Sequence, residues 1–380
     1  ELKRKLIREI KEKSKSEILK PLNYIGLAGV HNYKSFWKNI IKTKKNFGEV
    51  SGLNGLLEYN LKPKKFDWYD VGNLESLKKT RNKFEKKKNN ILEKVDESIW
   101  FLNNKVIKFS NDQNFIKHRV LRSKLLYPFT PKVKSKSKHY YIYNSVKGIV
   151  YSKKANLSNF KLLLKFLEKF WQKKKFTKKF KVNCYQFYKN KTYKRILNYL
   201  RINNLKDKTE YINNIKIPPI LRIISELNWN NLSNGKPVNF HGDLHFENIL
   251  ISKKMKFTLL DWRQNFNKSI IVGDIYYDFA KILHGLIISH EKVVKDEYKV
   301  RLNDKKKELK IFIKNDYKKI IIYFENWITN NGYDLNKTRI LTALIFINIA
   351  TLHEKNYGHF LFSLGKLLLN DLKYFNRFSK

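Results

Sequence analysis

The sequence predicts an α+β chain whose main body has two lobes, a small antiparallel sheet followed by a larger, mainly helical half, with a separate α/β segment in front. Three observations carry this expectation. Between residues 91 and 146, short β-branched and aromatic runs are punctuated by Asp, Ser and Asn turn residues. From residue 157 to 375 apolar residues recur mostly at helical spacing. Residues 1–85 differ in texture from both, and a dense basic run at 78–90 marks the boundary.

Within the leading segment, residues 1–20 read as a charged helix, 24–30 as a strand, 33–41 as a helix and 48–57 as a Gly-punctuated stretch, before Phe66-Asp67-Trp68-Tyr69-Asp70-Val71-Gly72-Asn73-Leu74. The small lobe, residues 86–148, reads as strands at 91–95, 99–102 and 105–109, a helix at 112–126 and a strand at 139–146. Gly148 then releases the chain into the larger lobe, residues 149–380. Helices are expected there at 157–171, 191–205, 218–229, 276–289, 305–330, 335–353 and 360–375, the third opening on prolines whose missing N–H costs nothing in a first turn.

The bulk numbers set bounds. A chain of 380 residues that is 42% hydrophobic has enough apolar surface for one large core or several small ones. Its formal charge of +47 would suit a nucleic-acid ligand. The excess is nearly all Lys spread along the chain beside abundant Asn, Ile, Phe and Tyr, so biased base composition accounts for it and no specific nucleic acid is expected. A peripheral contact with an anionic membrane is compatible with the charge. The single cysteine, Cys184, excludes an internal disulfide framework and fits a reducing cytoplasm. No signal peptide is visible, and because the first residue is Glu the chain reads as a segment of a longer one. The longest apolar run, residues 340–352, is interrupted by Thr342, Asn348 and Thr351 and reads as a buried helix, not a membrane span.

The chemistry concentrates between residues 240 and 278. An apolar approach through Val238 and Phe240 delivers His241-Gly242-Asp243-Leu244-His245-Phe246-Glu247-Asn248-Ile249-Leu250, and a second apolar run delivers Leu259-Leu260-Asp261-Trp262-Arg263. Transfer of a phosphoryl group asks little covalent work of a protein; it asks for positioning and for cancellation of negative charge. Asp243 is suited to orient an attacking hydroxyl and accept its proton. Asn248, five residues on, supplies an oxygen for magnesium, and Asp261 supplies a second. Magnesium keeps water and phosphate oxygens in its shell, so one Asn and one Asp are sufficient.

These two motifs resemble the aminoglycoside phosphotransferase and choline kinase superfamily, which shares the protein-kinase fold. The resemblance covers residues 86–380 and implies a bilobal kinase-like architecture using ATP and Mg2+ to phosphorylate a hydroxyl of a small molecule: choline, ethanolamine, an aminoglycoside, a sugar or a related alcohol. It implies that Asp243 is catalytic and that Asn248 and Asp261 hold the metal. It implies too that Lys108, in the run Val106-Ile107-Lys108-Phe109, contacts the α- and β-phosphates, and that Tyr143, Asn144, Ser145 and Val146 form the hinge that meets adenine. His241 and His245 are expected to shape the loop. Asp278, in Gly273-Asp274-Ile275-Tyr276-Tyr277-Asp278-Phe279-Ala280, is expected to brace it. Acceptor selection falls to the C-terminal helices, with Tyr276, Tyr277, His284, His353, Glu354 and Tyr357 as candidates; an aromatic set would suit a quaternary ammonium.

Two departures from the family pattern stand out. No glycine occurs between residues 91 and 106, so the phosphate-covering loop is expected at the Asp96-Glu97-Ser98 turn, with backbone N–H groups or the Ser98 hydroxyl. The Glu that usually pairs with the strand lysine is missing, and Asp112 or Gln113 are its possible substitutes. A catalytically degenerate kinase fold serving as an interaction or regulatory domain is the alternative reading; the intact Asp243, Asn248 and Asp261 speak against it. Residues 1–85 resemble the C-terminal part of a sugar-phosphate or choline-phosphate nucleotidyltransferase, in which Asp70 would help hold a magnesium ion. The expectation is therefore a cytoplasmic kinase fused to a nucleotidyltransferase, the pair making an activated precursor for cell-surface polysaccharide or lipid.

Overall fold

The computed structural model describes residue 7 and residues 26–43, 48–64, 66–84, 96–288, 298–302 and 306–379. The chain divides into two units, residues 1–89 and 90–380.

In the first unit, helix α1 (Tyr33–Lys42) packs against helix α2 (Gly48–Asn54), which the sequence had suggested only as a Gly-punctuated stretch. The glycine earns its place here: a Cβ at Gly52 would stand 2.4 Å from the Phe36 ring. Leu53 and Leu56 are buried beside this contact. The strand expected at 24–30 is not formed in its described part; residues 26–30 have no regular structure. Gly72 N–H donates to Asp70 Oδ1 at 2.9 Å and Thr80 Oγ1 donates to the Asp70 carbonyl at 2.8 Å, making a turn that leads into helix α3 (Leu74–Phe84).

The second unit opens on a four-stranded antiparallel sheet in the order β1-β2-β4-β3, formed by β1 (Glu97–Leu102), β2 (Lys105–Ser110), β3 (Val133–Lys136) and β4 (Tyr140–Asn144). Asn103, in the left-handed region at φ 52°, turns the first hairpin, a conformation that Asn tolerates better than most side chains. The strand expected at 91–95 lies outside the described residues. Glu97 and Ser98 correct the expected turn: both are inside β1, opposite Ser110 and Phe109. Helix α4 (Gln113–Leu126) crosses the sheet, with Asp112 as its N-cap accepting from the N–H groups of Asn114 and Phe115.

After Gly148, strand β5 (Ile149–Val150) pairs with β9 (Ile249–Ile251), and β9 with β10 (Phe257–Leu259). Helices α5 (Leu157–Phe170), α6 (Lys178–Tyr185) and α7 (Lys191–Ile202) follow, with one π-helical turn at Gln186–Asn190 joining the last two. The single helix expected at 218–229 is two: α8 (Ile220–Ser225) and α9 (Trp229–Ser233), separated because the Asn228 side chain caps the second from outside it. Strand β8 (Pro237–Val238) pairs with β11 (Gly273–Asp274), which feeds helix α10 (Ile275–Ile287).

The helix expected at 305–330 begins only at residue 315. Its first part is a strand, because residues 307, 309, 311 and 313 alternate inward with charged or exposed neighbours, a period of two. Strand β13 (Lys306–Ile311) pairs antiparallel with β12 (Tyr298–Leu302) and parallel with β6 (Glu210–Ile212), which pairs with β7 (Ile215–Ile217). Helices α11 (Asn315–Asn330), α12 (Leu335–Ile349) and α13 (Lys355–Asn370) complete the lobe. The stretch Leu335–Leu352 is long and apolar enough to cross a membrane by length and composition, longer than the run first read. It is 67% buried within the unit, packed on α10 and α13, as the core helix of a folded lobe is. The unit is thus an α+β fold of two lobes: an antiparallel sheet lobe and a mainly helical lobe around one continuous core.

Candidate active site

The loop after β8 is held from beneath by one carboxylate. Asp278, fully buried on the first turn of α10, accepts the His241 N–H at 2.8 Å, the Gly242 N–H at 2.7 Å and the Trp171 indole N–H at 3.0 Å. Burial pushes its pKa up to about 6, while these three donors work in the opposite direction. One side chain therefore satisfies two backbone donors of the loop that no strand could reach. Asp274, which caps α10, is equally buried and is occupied by Tyr188 and by the Lys236 and Tyr276 N–H groups.

Gly242 must be glycine twice over. Its φ is +83°, and a Cβ there would lie 2.7 Å from Arg263 Cβ. His241 is buried and burial drives its pKa down to about 3, so the imidazole is neutral. Its Nε2 donates to the Leu260 carbonyl at 2.7 Å and its Nδ1 accepts the Asp243 N–H at 3.2 Å. The ring ties the Asp243 loop to the strand that ends in Asp261.

Asp243 is the hub. Lys281 Nζ sits 2.8 Å from its Oδ1, Asn248 Nδ2 donates to its Oδ2 at 3.2 Å and to its carbonyl at 2.9 Å, and His245 Nε2 lies 3.6 Å from Oδ2. Burial opposes ionisation, but Lys281 and His245 outweigh it and hold Asp243 well below the usual carboxylate range. Burial likewise opposes charge on His245, yet Asp243 and Glu247, the latter 2.9 Å from Nδ1, raise its pKa to about 9. At neutral pH the cluster is a carboxylate between an ammonium and an imidazolium. With Nδ2 of Asn248 engaged by Asp243, Oδ1 is the atom left to a cation.

Asp261 adopts a left-handed conformation, φ 55°, at the end of β10; such a conformation costs a non-glycine residue about 1 kcal/mol. The geometry is locked on both sides. Leu260 N–H donates to the Asn248 carbonyl at 2.7 Å, Arg263 N–H to the His241 carbonyl at 2.9 Å, and the buried Trp262 indole to the Arg119 carbonyl at 2.9 Å. The β9–β10 hairpin thereby sets Asn248 and Asp261 side by side. Lys108 Nζ forms an ion pair with Asp261 Oδ1, with Arg119 3.9 Å from the same oxygen. Asp261, then, is an acid that faces the strand lysine. Asp112 and Gln113 do not fill that place: the first caps α4 and the second contacts His139.

The remaining candidates are distributed. Ser98 is exposed on β1. Tyr143 is buried in β4; Asn144, Ser145 and Val146 carry the chain out of the small sheet towards β5, and Ser145 N–H is already donated to the Asn104 carbonyl at 2.9 Å. Tyr276 is turned away from the loop, its hydroxyl accepting the Asp334 N–H at 3.1 Å, whereas Tyr277 packs edge-on to Phe187 at 4.9 Å. His284 lies 4.8 Å from Phe346 with neither ring nitrogen hydrogen-bonded, and burial holds it well below its ordinary pKa. His353 stacks edge-on to Tyr357, and Glu354 is exposed.

Three residues escaped the sequence reading. Lys281 follows Asp278 by three positions in an otherwise apolar helix, a placement that puts both on one face. Arg119 and Arg122, three apart on α4, are the others. Arg122 is fully buried, stacked 3.8 Å from the Phe240 ring, and its guanidinium donates to the carbonyls of Phe240 and Arg263. The available signal was two arginines at i, i+3 in a helix whose other charges are almost all lysine.

A family model described as the phosphotransferase enzyme family matches residues 186–298. Among solved structures, the chain is similar to a ternary complex of the aminoglycoside phosphotransferase APH(2″)-IIa with streptomycin and ATP, at 16% identity and a TM-score of 0.45, covering 80% of this chain and 98% of that one. It is similar to the Plasmodium vivax ethanolamine kinase at 14% identity and a TM-score of 0.41, covering 83% and 97%. It is similar to a choline kinase from Cryptosporidium parvum Iowa II at 12% identity and a TM-score of 0.45, covering 76% and 90%. No curated protein matches the chain. The residues matched by the family model include the whole loop from His241 to Asn248, Asp261, and the Asp278 brace that supports them.

Proposed function

We propose that the chain transfers the γ-phosphoryl group of ATP to a hydroxyl of a small molecule such as choline, ethanolamine, a sugar or a related alcohol. The observation that supports this most is the pairing, across one hairpin, of a charged Asp243 with the oxygen donors Asn248 and Asp261. Among the described residues no group of three or more His, Cys, Asp or Glu side chains is placed to hold a metal. A magnesium ion suits the site nonetheless, because hard oxygen donors from one amide and one carboxylate match its preference for few protein ligands. Bound there by Asn248 and Asp261, it would supply neutralisation of the phosphate charge.

The protein's own groups do the rest. Asp243, kept ionised by Lys281 and His245, accepts the hydrogen bond of the acceptor hydroxyl and aligns its oxygen. The loose transition state of phosphoryl transfer needs little base strength, so a depressed pKa is compatible with this role. Lys108, paired with Asp261, is the cation suited to the nucleotide's phosphates, and residues Tyr143, Asn144, Ser145 and Val146 are the segment suited to adenine. We assign the protein to the cytoplasm, where ATP is available, and residues 1–85 to a nucleotidyltransferase fused to the kinase. The phosphorylated alcohol would then be activated for polysaccharide or lipid synthesis.

A screen for ATP-dependent phosphorylation of choline, ethanolamine, glycerol and free sugars tests the reading. Asp243→Asn is expected to lower kcat by about 10^3-fold with Mg-ATP binding retained. Turnover unchanged in that variant would remove Asp243 from the reaction.

A further inference from the structure

The face of the helical lobe that approaches Asp243 is built from cations resting on aromatic rings. Lys191 and Arg195 are four residues apart on α7 and share one face. Lys191 Nζ stands 4.4 Å from the centre of the Phe187 ring and 6.0 Å from that of Tyr277, with no hydrogen bond or ion pair to any described residue. The Arg263 guanidinium lies 5.1 Å from the same Phe187 ring, and its stem runs past Gly242, next to Asp243. Lys281, one turn beyond Tyr277 on α10, reaches Asp243 itself at 2.8 Å. From Lys191 through Phe187 and Tyr277 to Lys281, a cationic surface leads to the carboxylate that orients the hydroxyl.

Asp243, which Lys281 engages, is the carboxylate at its end, and the neighbouring segments add none. Residues 178–206, 262–273 and 335–352 contain no Asp or Glu. On α10 and at its cap, Asp274 and Asp278 are fully buried and committed to bonds already described. Burial, then Arg263, Lys281 and Arg195, push the Lys191 pKa well below its ordinary value, the mark of a desolvated ammonium among like charges.

We propose that the acceptor carries, besides its hydroxyl, an anionic group, a carboxylate or a phosphate monoester, held by Lys191, Arg195 and Arg263. This rests on the kinase reading above and narrows it. A quaternary or primary ammonium acceptor fits poorly, because the ring faces that would bind it by cation–π attraction are covered by the protein's own cations. An anion, by contrast, relieves the cost of an unpaired, partly buried ammonium. In the reaction the acceptor oxygen bonds to the γ-phosphorus and the bond from that phosphorus to the β–γ bridging oxygen breaks. The hydroxyl proton passes to Asp243, and the products are ADP and a phosphate ester.

Steady-state kinetics of the full chain at saturating Mg-ATP, with glycerate, glycerol 3-phosphate, glycerol, ethanolamine and choline as acceptors, tests this. The anionic pair should exceed glycerol in kcat/KM by about 10-fold or more, with the ammonium compounds lowest; the two anions separate carboxylate from phosphate recognition. Lys191→Met should raise the KM of the anionic acceptor by about 10-fold and leave the KM of ATP unchanged. Choline or ethanolamine as the best acceptor overturns the proposal, as does a Lys191→Met effect confined to the KM of ATP. Calorimetry with a non-hydrolysable Mg-nucleotide supplies a second readout. If the nucleotide binds and neither anion does, the proposal fails and the kinase reading stands; if the nucleotide does not bind, the kinase reading fails first.

Discussion

At Asp243 three groups compete for one carboxylate, and the outcome sets its chemistry. Lys281 and His245 stabilise the charge more than burial penalises it, so the residue is an anion at neutral pH, suited to orient a hydroxyl and to take its proton as the bond to phosphorus forms. His245 makes this pH-dependent. Its pKa in the folded protein, about 9, exceeds the ordinary 6.5, so the stability it contributes is complete below 6.5 and lost as pH rises through about 9. The melting temperature of the wild type should fall over that interval more than that of His245→Gln, measured by calorimetric scans from pH 6 to 10 in steps of about one unit. His241, four residues earlier in the loop, behaves oppositely because burial outweighs the charge of Asp243, and its ring nitrogens meet backbone groups. Two histidines separated by four positions thus receive a structural and an electrostatic task from their neighbours alone.

At the scale of the element, α10 is the device that makes the loop possible. Its Asp278 and Lys281 lie on one face, the first fixing the loop's backbone and the second its carboxylate. Asp278→Ala would leave buried donors at His241, Gly242 and Trp171 without acceptors, a loss of about 3 kcal/mol or more. Denaturant titration should show that loss, and Mg-ATP turnover should fall with it. Helix α4 shows the same economy at smaller cost. Asp112 caps it, and Asp112→Ala should lower stability by about 1 kcal/mol without altering the KM of ATP, since the cap does not face Lys108. The motif and the identity of α10 were legible in the sequence, because both are local patterns of residue type and spacing. The partner of Lys108 was not. Asp261 is far from that lysine along the chain, and only the folding of the small sheet over the hairpin joins them.

For the whole molecule, the division at residues 89 and 90 separates two bodies with their own packing, and the second holds every group the proposed reaction uses. Residues 90–380 expressed alone should therefore fold and bind Mg-ATP with the affinity of the full chain, a comparison that calorimetry makes directly. Failure to fold would show that the leading unit supplies stability the second lacks. The sheet formed by β6, β7, β12 and β13 was invisible to a reading that saw mainly helices after residue 149. Its strands are three to six residues long and come from two regions nearly 90 residues apart, so neither region signals the sheet by itself.

The sequence by itself determined the fold class, the loop from His241 to Asn248 and the pairing of Asp243 with Asp261 as one chemical unit, because each depends on spacing along a few dozen residues. Tertiary structure decided what surrounds that unit. It brought Lys108 to Asp261, Lys281 to Asp243 and Asp278 beneath the loop, and it set Lys191 and Arg263 against the Phe187 ring. The physical reason is range: hydrogen-bonded turns and periodic faces are written in neighbouring residues, whereas the charge balance that fixes a pKa or chooses an acceptor is summed over side chains that only folding makes neighbours.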